Sequence, residues 1–267
     1  MKVVRGCALV FLSLVGMAAI APEWWTRARY DTQFRDRPDA PPSRAFPLGT
    51  DALGRDRWAR LWYGTRISLT LAPAAALVSC AAAALAGGGA GWMGGFLDGA
   101  LQTASDLFLS LPWFFLLLMV RAFLPLNAAP LASIALTFAL LGALGWAAPA
   151  RVVCAAVRRI KTSEFFFQAQ AAGCRAARVL WRQLLPNVAP VLWAQFWVAV
   201  PAYILAEATL GMLGLGIAEP LPSWGGMLRE LEGAPSFRQW WLFAPAVLLA
   251  AVVTSLQAIL SRKEDSV

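Results

Sequence analysis

The sequence predicts an all-α polytopic membrane protein with six transmembrane helices. Apolar residues make up 59% of the chain and charged residues only 14%, and the mean hydropathy is +0.60. A typical soluble domain is about 45–50% apolar and about 25% charged. The chain also contains six apolar runs, each close to the roughly 20 helical residues that cross a hydrocarbon core. Thirteen Trp and 15 Phe suit a protein with aromatic residues at the bilayer interfaces.

The first apolar run covers residues 3–21, with Lys2 and Arg5 near its start. As a helix it would be about 28 Å long, enough to cross the bilayer. We therefore predict a membrane anchor over residues 1–22. The competing interpretation is a signal peptide, because small residues end the run. Pro22 follows those small residues directly and disfavours cleavage.

Residues 23–66 are rich in Pro and Arg and are predicted to form a periplasmic loop. This loop contains the stretch PLGTDALGRDRWARLWYGTRISL at 47–69, which has two glycine-containing turns with an aspartate near each. A local knot, in which the aspartates pair with Arg55 and Arg57, and a docking role both remain open. The candidate residues here are Gly49, Asp51, Gly54, Arg55 and Asp56.

Five further spans are predicted at 68–91, 101–124, 131–148, 188–205 and 240–260, within a domain covering 67–262. Small residues in the second span favour close helix packing, and Pro112 predicts a kink in the third. Asp106 and Arg121 lie towards the ends of the third span, so we interpret them as boundary markers rather than relay groups.

The distribution of basic residues predicts the orientation. An even number of spans places both termini on one side. The basic clusters at 2–5, 151–161, 175–182 and 262–263 then all face the cytoplasm, as the positive-inside rule requires. The nine arginines of 23–66 do not fit this rule, and of these Arg60 and Arg66 lie close to a span. The net charge of +8 is interpreted as contact with anionic lipid or an acidic partner rather than with nucleic acid.

The stretch 162–187, TSEFFFQAQAAGCRAARVLWRQLLPN, is too polar to cross a membrane but carries many apolar side chains. It predicts two short amphipathic helices with a break at Gly173 and an end at Pro186. Arg175, Arg178 and Arg182 share one helix face, opposite an apolar face. In one interpretation, three apolar anchors seat the helices in a groove on a partner: Phe166, Leu180 and Leu184. The competing interpretation is a helix pair lying on the bilayer surface.

The residues that are missing exclude several functions. The chain has no histidine, which excludes a His metal site, a Ser–His triad and a His general base. The spacing of its four cysteines fits neither a disulfide framework nor a zinc site. No GxxxxGK[ST] motif occurs, so the chain is not expected to cradle a triphosphate. We accordingly predict no catalytic residue, no metal site, no cofactor of its own and no enzymatic activity.

Three stretches together resemble one family. They are 47–69, 162–187 and EATLGMLGLGIAEPLPSWGGML at 207–228. In this order they resemble the permease subunits of peptide-type ABC importers, a group that carries di- and oligopeptides, nickel chelates and glutathione. The resemblance covers about residues 45–260. It implies a type I importer permease in the inner membrane that forms half of a pathway for peptides or similar small solutes.

The resemblance also implies that 151–187 is the cytoplasmic loop that couples the permease to its ATPases. The family has Glu-Ala-Ala at the positions of Phe167, Gln168 and Ala169. Peptide permeases often have His at the position of Gln183. The ending SLQAILSRKEDSV also departs from the family pattern. The docking chemistry is therefore expected to be more apolar than is usual. The coupling residues implied are Glu164, Phe166, Phe167, Gln168, Ala169, Gly173, Arg178, Leu184, Leu185 and Pro186.

The implied partners are two ATPase subunits that bind ATP and Mg, a second homologous permease, a periplasmic solute-binding protein and the bilayer. Glu207 is expected either to cap a re-entrant turn or to contact the solute, with the first favoured. The other pathway candidates are Gly214, Gly216, Pro222 and Trp224. The alternative function is an ion-gradient-driven secondary transporter or channel, which the nearly charge-free centres of the spans oppose.

Overall fold

The computed structural model describes residues 2–123, 129–233 and 239–260, and the regular structure of these residues is helical apart from two isolated β-bridges. This confirms the predicted all-α class. A π-helical turn, Leu180–Leu184, joins the eighth helix to the ninth. The helices are α1 (Lys2–Ile20), α2 (Arg57–Met93), α3 (Gly95–Ser110), α4 (Trp113–Phe123), α5 (Pro130–Leu144), α6 (Ala147–Lys161), α7 (Glu164–Ala171), α8 (Ala176–Val179), α9 (Leu185–Met212), α10 (Trp224–Arg229) and α11 (Ala244–Leu260).

Among the described residues, five helical segments are long and apolar enough to cross a membrane, or six if α3 and α4 together form one span. The third predicted span, 101–124, is not one continuous helix. Its two halves are bent by 80°, and Leu124 lies outside the described residues. Pro112 explains the break, because proline lacks an N–H and disfavours helical backbone in the residue before it. Leu111 is accordingly extended, with φ −91° and ψ 136°.

Helix α2 begins eleven residues before the predicted start of the second span, at Arg57 instead of residue 68. The expected loop 23–66 was therefore too long. Asp56 explains the early start, because its Oδ1 accepts the backbone N–H of Trp58 at 2.9 Å and so caps the helix N-terminus. With 37 residues, α2 is about 56 Å long.

The chain divides into two compact units. Unit 1 comprises 1–72, 121–138 and 201–267, and unit 2 comprises 73–120 and 139–200. The divisions within α2 and α9 fall directly before Pro73 and Pro201. Within unit 1, α1 and α10 each pack against α11.

Within unit 2, α6 packs closely against both α2 and α3. A Cβ at Gly87 would collide with the carbonyl oxygen of Ala150, so glycine allows the backbones of α2 and α6 to approach. Two ion pairs align α3 antiparallel to α6: Asp98 with Arg158 at 2.7 Å, and Asp106 with Arg151. Asp106, interpreted above as a boundary marker, thus has a specific partner.

Candidate functional site

The first candidate site is the coupling segment, defined as residues 162–187 of unit 2. Helix α7 ends at Ala171, and Gly173 follows with φ +69°. The N–H of Cys174 donates to the carbonyl oxygen of Ala169 at 3.1 Å, the six-to-one bond of a Schellman cap. Since this cap needs a left-handed residue at its centre, glycine favours the break at the position predicted from the sequence.

The prediction that Pro186 ends the second helix is wrong. The π-helical turn leads directly into α9, and the N–H of Leu185 donates to the carbonyl oxygen of Leu180, five residues earlier. Pro186 is then the second residue of α9 and, having no N–H, donates no backbone hydrogen bond to the preceding turn. The Asn187 side chain donates to the carbonyl oxygen of Gln183 at 2.6 Å, which satisfies that carbonyl group.

The inner face of the coupling segment packs within the chain. Phe166, 2% exposed, forms a buried cluster with Ala169 and Val179. Leu184, 4% exposed, forms another cluster, with Val153, Val157 and Val188, and Leu180 packs against it. These contacts correct the expectation that Phe166, Leu180 and Leu184 anchor a partner, because their apolar surface is already largely used inside unit 2.

The coupling segment also carries aromatic, aliphatic and arginine side chains that are exposed. Phe167 is 57% exposed and Trp181 67%. Of the other implied coupling residues, Glu164, Gln168 and Pro186 are also exposed. Large apolar groups beside guanidinium groups are typical of the energetically important centre of a protein interface. We call the following residues the docking face: Phe165, Phe167, Arg175, Arg178, Trp181, Arg182 and Leu185.

The second candidate site is a network of arginines and carboxylates in unit 1. Asp51 organises it, because its Oδ1 accepts the backbone N–H groups of Leu53 (3.0 Å) and Arg55 (2.8 Å). The other carboxylate oxygen, Oδ2, accepts Nε of Arg55 at 2.6 Å. Gly54 (φ +73°) completes the turn, and a Cβ there would collide with the carbonyl oxygen of Phe34. Gly49 (φ +69°) similarly abuts the carbonyl oxygen of Ala40.

Distant carboxylates complete the network. Both carboxylate oxygens of Glu219 accept hydrogen bonds from arginines: Oε2 from Arg55, and Oε1 from Nη2 of Arg60 at 2.8 Å. Arg57 Nε donates to Glu230 at 2.8 Å. The predicted knot is therefore real for Asp51 and Arg55 but is not purely local. The network also explains why three of the nine arginines of 23–66 do not follow the positive-inside rule. Their buried guanidinium groups are neutralised by carboxylates. We call Asp51, Arg55, Arg57, Arg60, Glu219 and Glu230 the arginine–carboxylate network.

Burial perturbs the ionisation of groups at this site. Asp56 pairs with no arginine among the described residues; it caps α2, its Oδ2 is buried without a hydrogen-bond partner, and burial raises its pKa to about 6. Burial also raises the pKa of Glu230, and the facing guanidinium group of Arg57 opposes that rise. A cleft of about 550 Å³ borders the network and exposes the carboxylates of Asp39 and Glu219.

The five pathway candidates of 207–224 lie in unit 1, and four of them are buried. Glu207 is fully buried within α9 and accepts a hydrogen bond from Ser68 of α2 at 3.1 Å, which favours a structural role over contact with the solute. Trp224 is also fully buried, and its Nε1 donates to Thr65 at 3.0 Å. Gly216 and Pro222 are buried too, and Gly214 alone of the five is exposed. Most of this set therefore packs the inside of unit 1 rather than facing a partner.

Several residues that contribute to these sites were not identified from the sequence. Glu219 and Glu230 showed no sign of their roles, since they lie more than 150 residues from their arginines. Arg121, interpreted as a boundary marker, is buried in α4 and donates to the carbonyl oxygen of Gly216 at 3.3 Å. Trp92, at the end of α2, contacts the coupling segment. Within the described ranges, no cluster of three His, Cys, Asp or Glu side chains is arranged to hold a metal ion.

Comparison with known proteins adds the family context. Residues 82–265 match a family model described as "Binding-protein-dependent transport system inner membrane component". The chain is 32% identical over 238 residues to the oligopeptide transport system permease protein OppC of Bacillus subtilis, covering 89% of this chain and 76% of the relative. The dipeptide transport system permease protein DppC of the same organism is 32% identical over 268 residues (99% and 81%). OppC of Escherichia coli is 31% identical over 250 residues (92% and 80%).

Proposed function

The chain belongs to the family of inner-membrane components of binding-protein-dependent transport systems, and from this premise we propose that it carries peptides or similar small solutes as half of an ATP-driven pathway. The relatives described above are peptide permeases, which supports that substrate class. Family membership displaces the alternative of an ion-gradient-driven transporter. A second homologous permease would supply the other half of the pathway, and a periplasmic binding protein would deliver the solute.

The docking face is the observation that carries this proposal. Two ATPase subunits, which bind ATP and Mg themselves, would each offer a groove, and one groove would receive Phe167 and Trp181 with the arginines at its rim. The exposure of these side chains leaves them free to bury apolar area against a partner. Exposed arginines favour an acidic groove and speed association by electrostatic attraction.

The inner face of the coupling segment explains how docking would move the membrane helices. Phe166 and Leu184 pack tightly against residues of α2, α6 and α9. When the ATPases close on ATP, the docked segment would therefore move together with the helices that it contacts. Rigid-body motion of this kind opens a pathway alternately to the two sides of the membrane. In the membrane orientation predicted from the basic clusters, the coupling segment and both termini would face the cytoplasm.

Co-purification and uptake test the proposal together. The chain, co-expressed with candidate ATPases and a second permease, should purify as a complex and support uptake of a labelled oligopeptide that ATP depletion abolishes. Uptake that survives ATP depletion but stops with an uncoupler would overturn the proposal, as would full transport by the chain alone.

A surface variant then tests the docking face. Phe167→Ser should weaken association with the ATPases about tenfold or more, in the range of an interface hot spot. Phe96→Ser is the matched control, because Phe96 is an exposed phenylalanine of unit 2 outside the coupling segment. Equal association of both variants with the ATPases would place the contact elsewhere. Leu184→Asp is a poor test of docking, because it would introduce a charge into a buried cluster.

A further inference from the structure

We propose that Trp92, the penultimate residue of α2, is the positioning residue that transmits movement of the coupling segment to α2. The inference rests on the proposed function, since it assumes that partner ATPases move the segment. It assigns to one side chain a task that the docking face alone does not explain. The segment is continuous in the chain with α6 and α9 but not with α2, so its displacement must reach α2 through tertiary contacts.

The contacts of Trp92 single it out. Its ring meets that of Phe166 in an edge-to-face arrangement, with ring centres 6.0 Å apart. Trp92 also packs against both buried clusters of the segment: the Phe166 cluster on the α7 side, and the Leu184 cluster at the π-helical turn. The two clusters contain residues from both sides of the break at Gly173, so Trp92 packs against a core that both parts of the segment share.

Lys161 makes a third connection, at the point where α6 enters the segment. Its ammonium group donates to the backbone carbonyl oxygen of Trp92 at 2.6 Å and lies 5.7 Å from the centre of the ring. That carbonyl group is among the last four of α2, which have no partner within the helix. A positive charge at this end is also favoured by the helix dipole.

Ile160 packs against both clusters as well, but it lies in α6, two residues before the segment. Its motion follows that of the segment through the chain. Trp92 is instead about 70 residues away in sequence, so its link to the segment is purely tertiary and can be broken by mutation. The residue before Trp92 also packs closely against α6, because a Cβ at Gly91 would lie 2.9 Å from the carbonyl oxygen of Cys154. This close packing supports the transmission of movement to α2.

The inference predicts uncoupling. Without the indole ring, the segment would still dock on the ATPases and follow their closure, but α2 would follow the segment less completely, since only the contacts of the α2 backbone, such as that with Lys161, remain. ATP hydrolysis would continue while transport fell. A residue that only stabilises the fold would lower both activities together, through loss of assembled complex.

The test compares variants of the whole transporter reconstituted in vesicles, measuring complex yield, ATP hydrolysis and peptide uptake on the same preparation. Trp92→Ala should lower the peptide transported per ATP by about 2- to 30-fold, the range over which single residues alter coupling. Trp92→Phe should restore it, since it preserves an aromatic contact with Phe166. Trp146→Ala is the matched control, because Trp146 forms a similar edge-to-face pair with Phe108 in unit 2; its ratio should stay unchanged.

Each outcome of this experiment either supports or overturns the role of Trp92. An unchanged ratio of transport to hydrolysis in Trp92→Ala would overturn the inference, as would equal falls in Trp92→Ala and Trp146→Ala. If Trp92→Ala does not assemble, Trp92→Leu retains apolar bulk without the ring pair, and it must show the lowered ratio for the inference to stand. If the wild-type chain bound no ATPase, the proposed function itself would be contradicted. The yield of assembled complex is enough to detect that outcome.

Discussion

The arginine–carboxylate network and the coupling segment use the same residue type in opposite ways. In the network, Arg55, Arg57 and Arg60 are buried and each meets a carboxylate. In the coupling segment, three arginines at helical spacing are exposed, and their apolar neighbours divide between an inner and an outer face. Buried charges that are already paired fix the fold of one chain. Charges left on a helix surface remain free for a partner.

The two arrangements also differ in how they respond to mutation. Removing one member of a buried ion pair strands the other and costs about 3–5 kcal/mol. Removing an exposed charge costs about 0–1 kcal/mol of stability, so its loss should appear in binding instead. The network should accordingly be sensitive in stability measurements, and the coupling segment in assays of association and transport.

Gly173→Pro should have the largest effect and should abolish transport. Proline holds φ near −65°, whereas Gly173 has φ +69°, so the turn between α7 and α8 cannot form. Uptake in reconstituted vesicles measures the effect, and membrane insertion should be unaffected. Gly173→Asn is the control, because asparagine tolerates left-handed backbone; it should retain most activity. Normal uptake by the proline variant would show that the break geometry is dispensable.

Asp51→Ala should have the largest effect on stability, lowering the free energy of unfolding by about 3–5 kcal/mol. It leaves Arg55 with Glu219 alone and removes the acceptor of two backbone N–H groups. Denaturant titration in detergent measures the loss. Asp36→Ala is the matched control, since Asp36 pairs with Arg37 at the surface and its loss should cost under about 1 kcal/mol. Similar losses in both variants would mean that the network contributes no more than a surface pair.

The sequence predicted what depends on local spacing. Helix periods, the break at Gly173 and the pairing of Asp51 with Arg55 all involve residues within one or two turns of each other. The partners of Arg57 and Arg60 follow from tertiary packing, and no local pattern indicates Glu219 or Glu230.

The coupling segment shows the same limit. Three consecutive phenylalanines point in three directions around a helix, and only tertiary contacts, such as those of Phe166 with Trp92 and Val179, determine which one is buried. Pro186 reads locally as a helix end, but the π-helical turn carries the chain into α9. The order of the elements could be predicted from the sequence, whereas the division of the apolar residues between core and docking face could not.

Asp56→Asn should change the pH dependence of stability by a moderate amount. The pKa of Asp56 is about 6 in the folded chain, against about 3.9 for an unperturbed aspartate. The folded state thus binds the proton more tightly, so wild-type stability should fall as pH rises from about 4 to about 6 and then level off. Asparagine caps helices as well as aspartate does and should remove this part of the slope in melting curves. An identical pH profile in both proteins would show that Asp56 titrates normally.

The smallest effect is expected for Arg151→Gln, which breaks the ion pair with Asp106 between α3 and α6. Both side chains are substantially exposed, so the loss should be at most about 1 kcal/mol. It should also vanish in high salt, because the Debye length is only about 3 Å at 1 M. Unfolding titrations at low and high ionic strength measure it, with Asp51→Ala as the reference whose cost should persist in salt because its charges are buried. If the Arg151 variant lost several kcal/mol independently of salt, the contrast between buried and exposed arginines would not hold for unit 2.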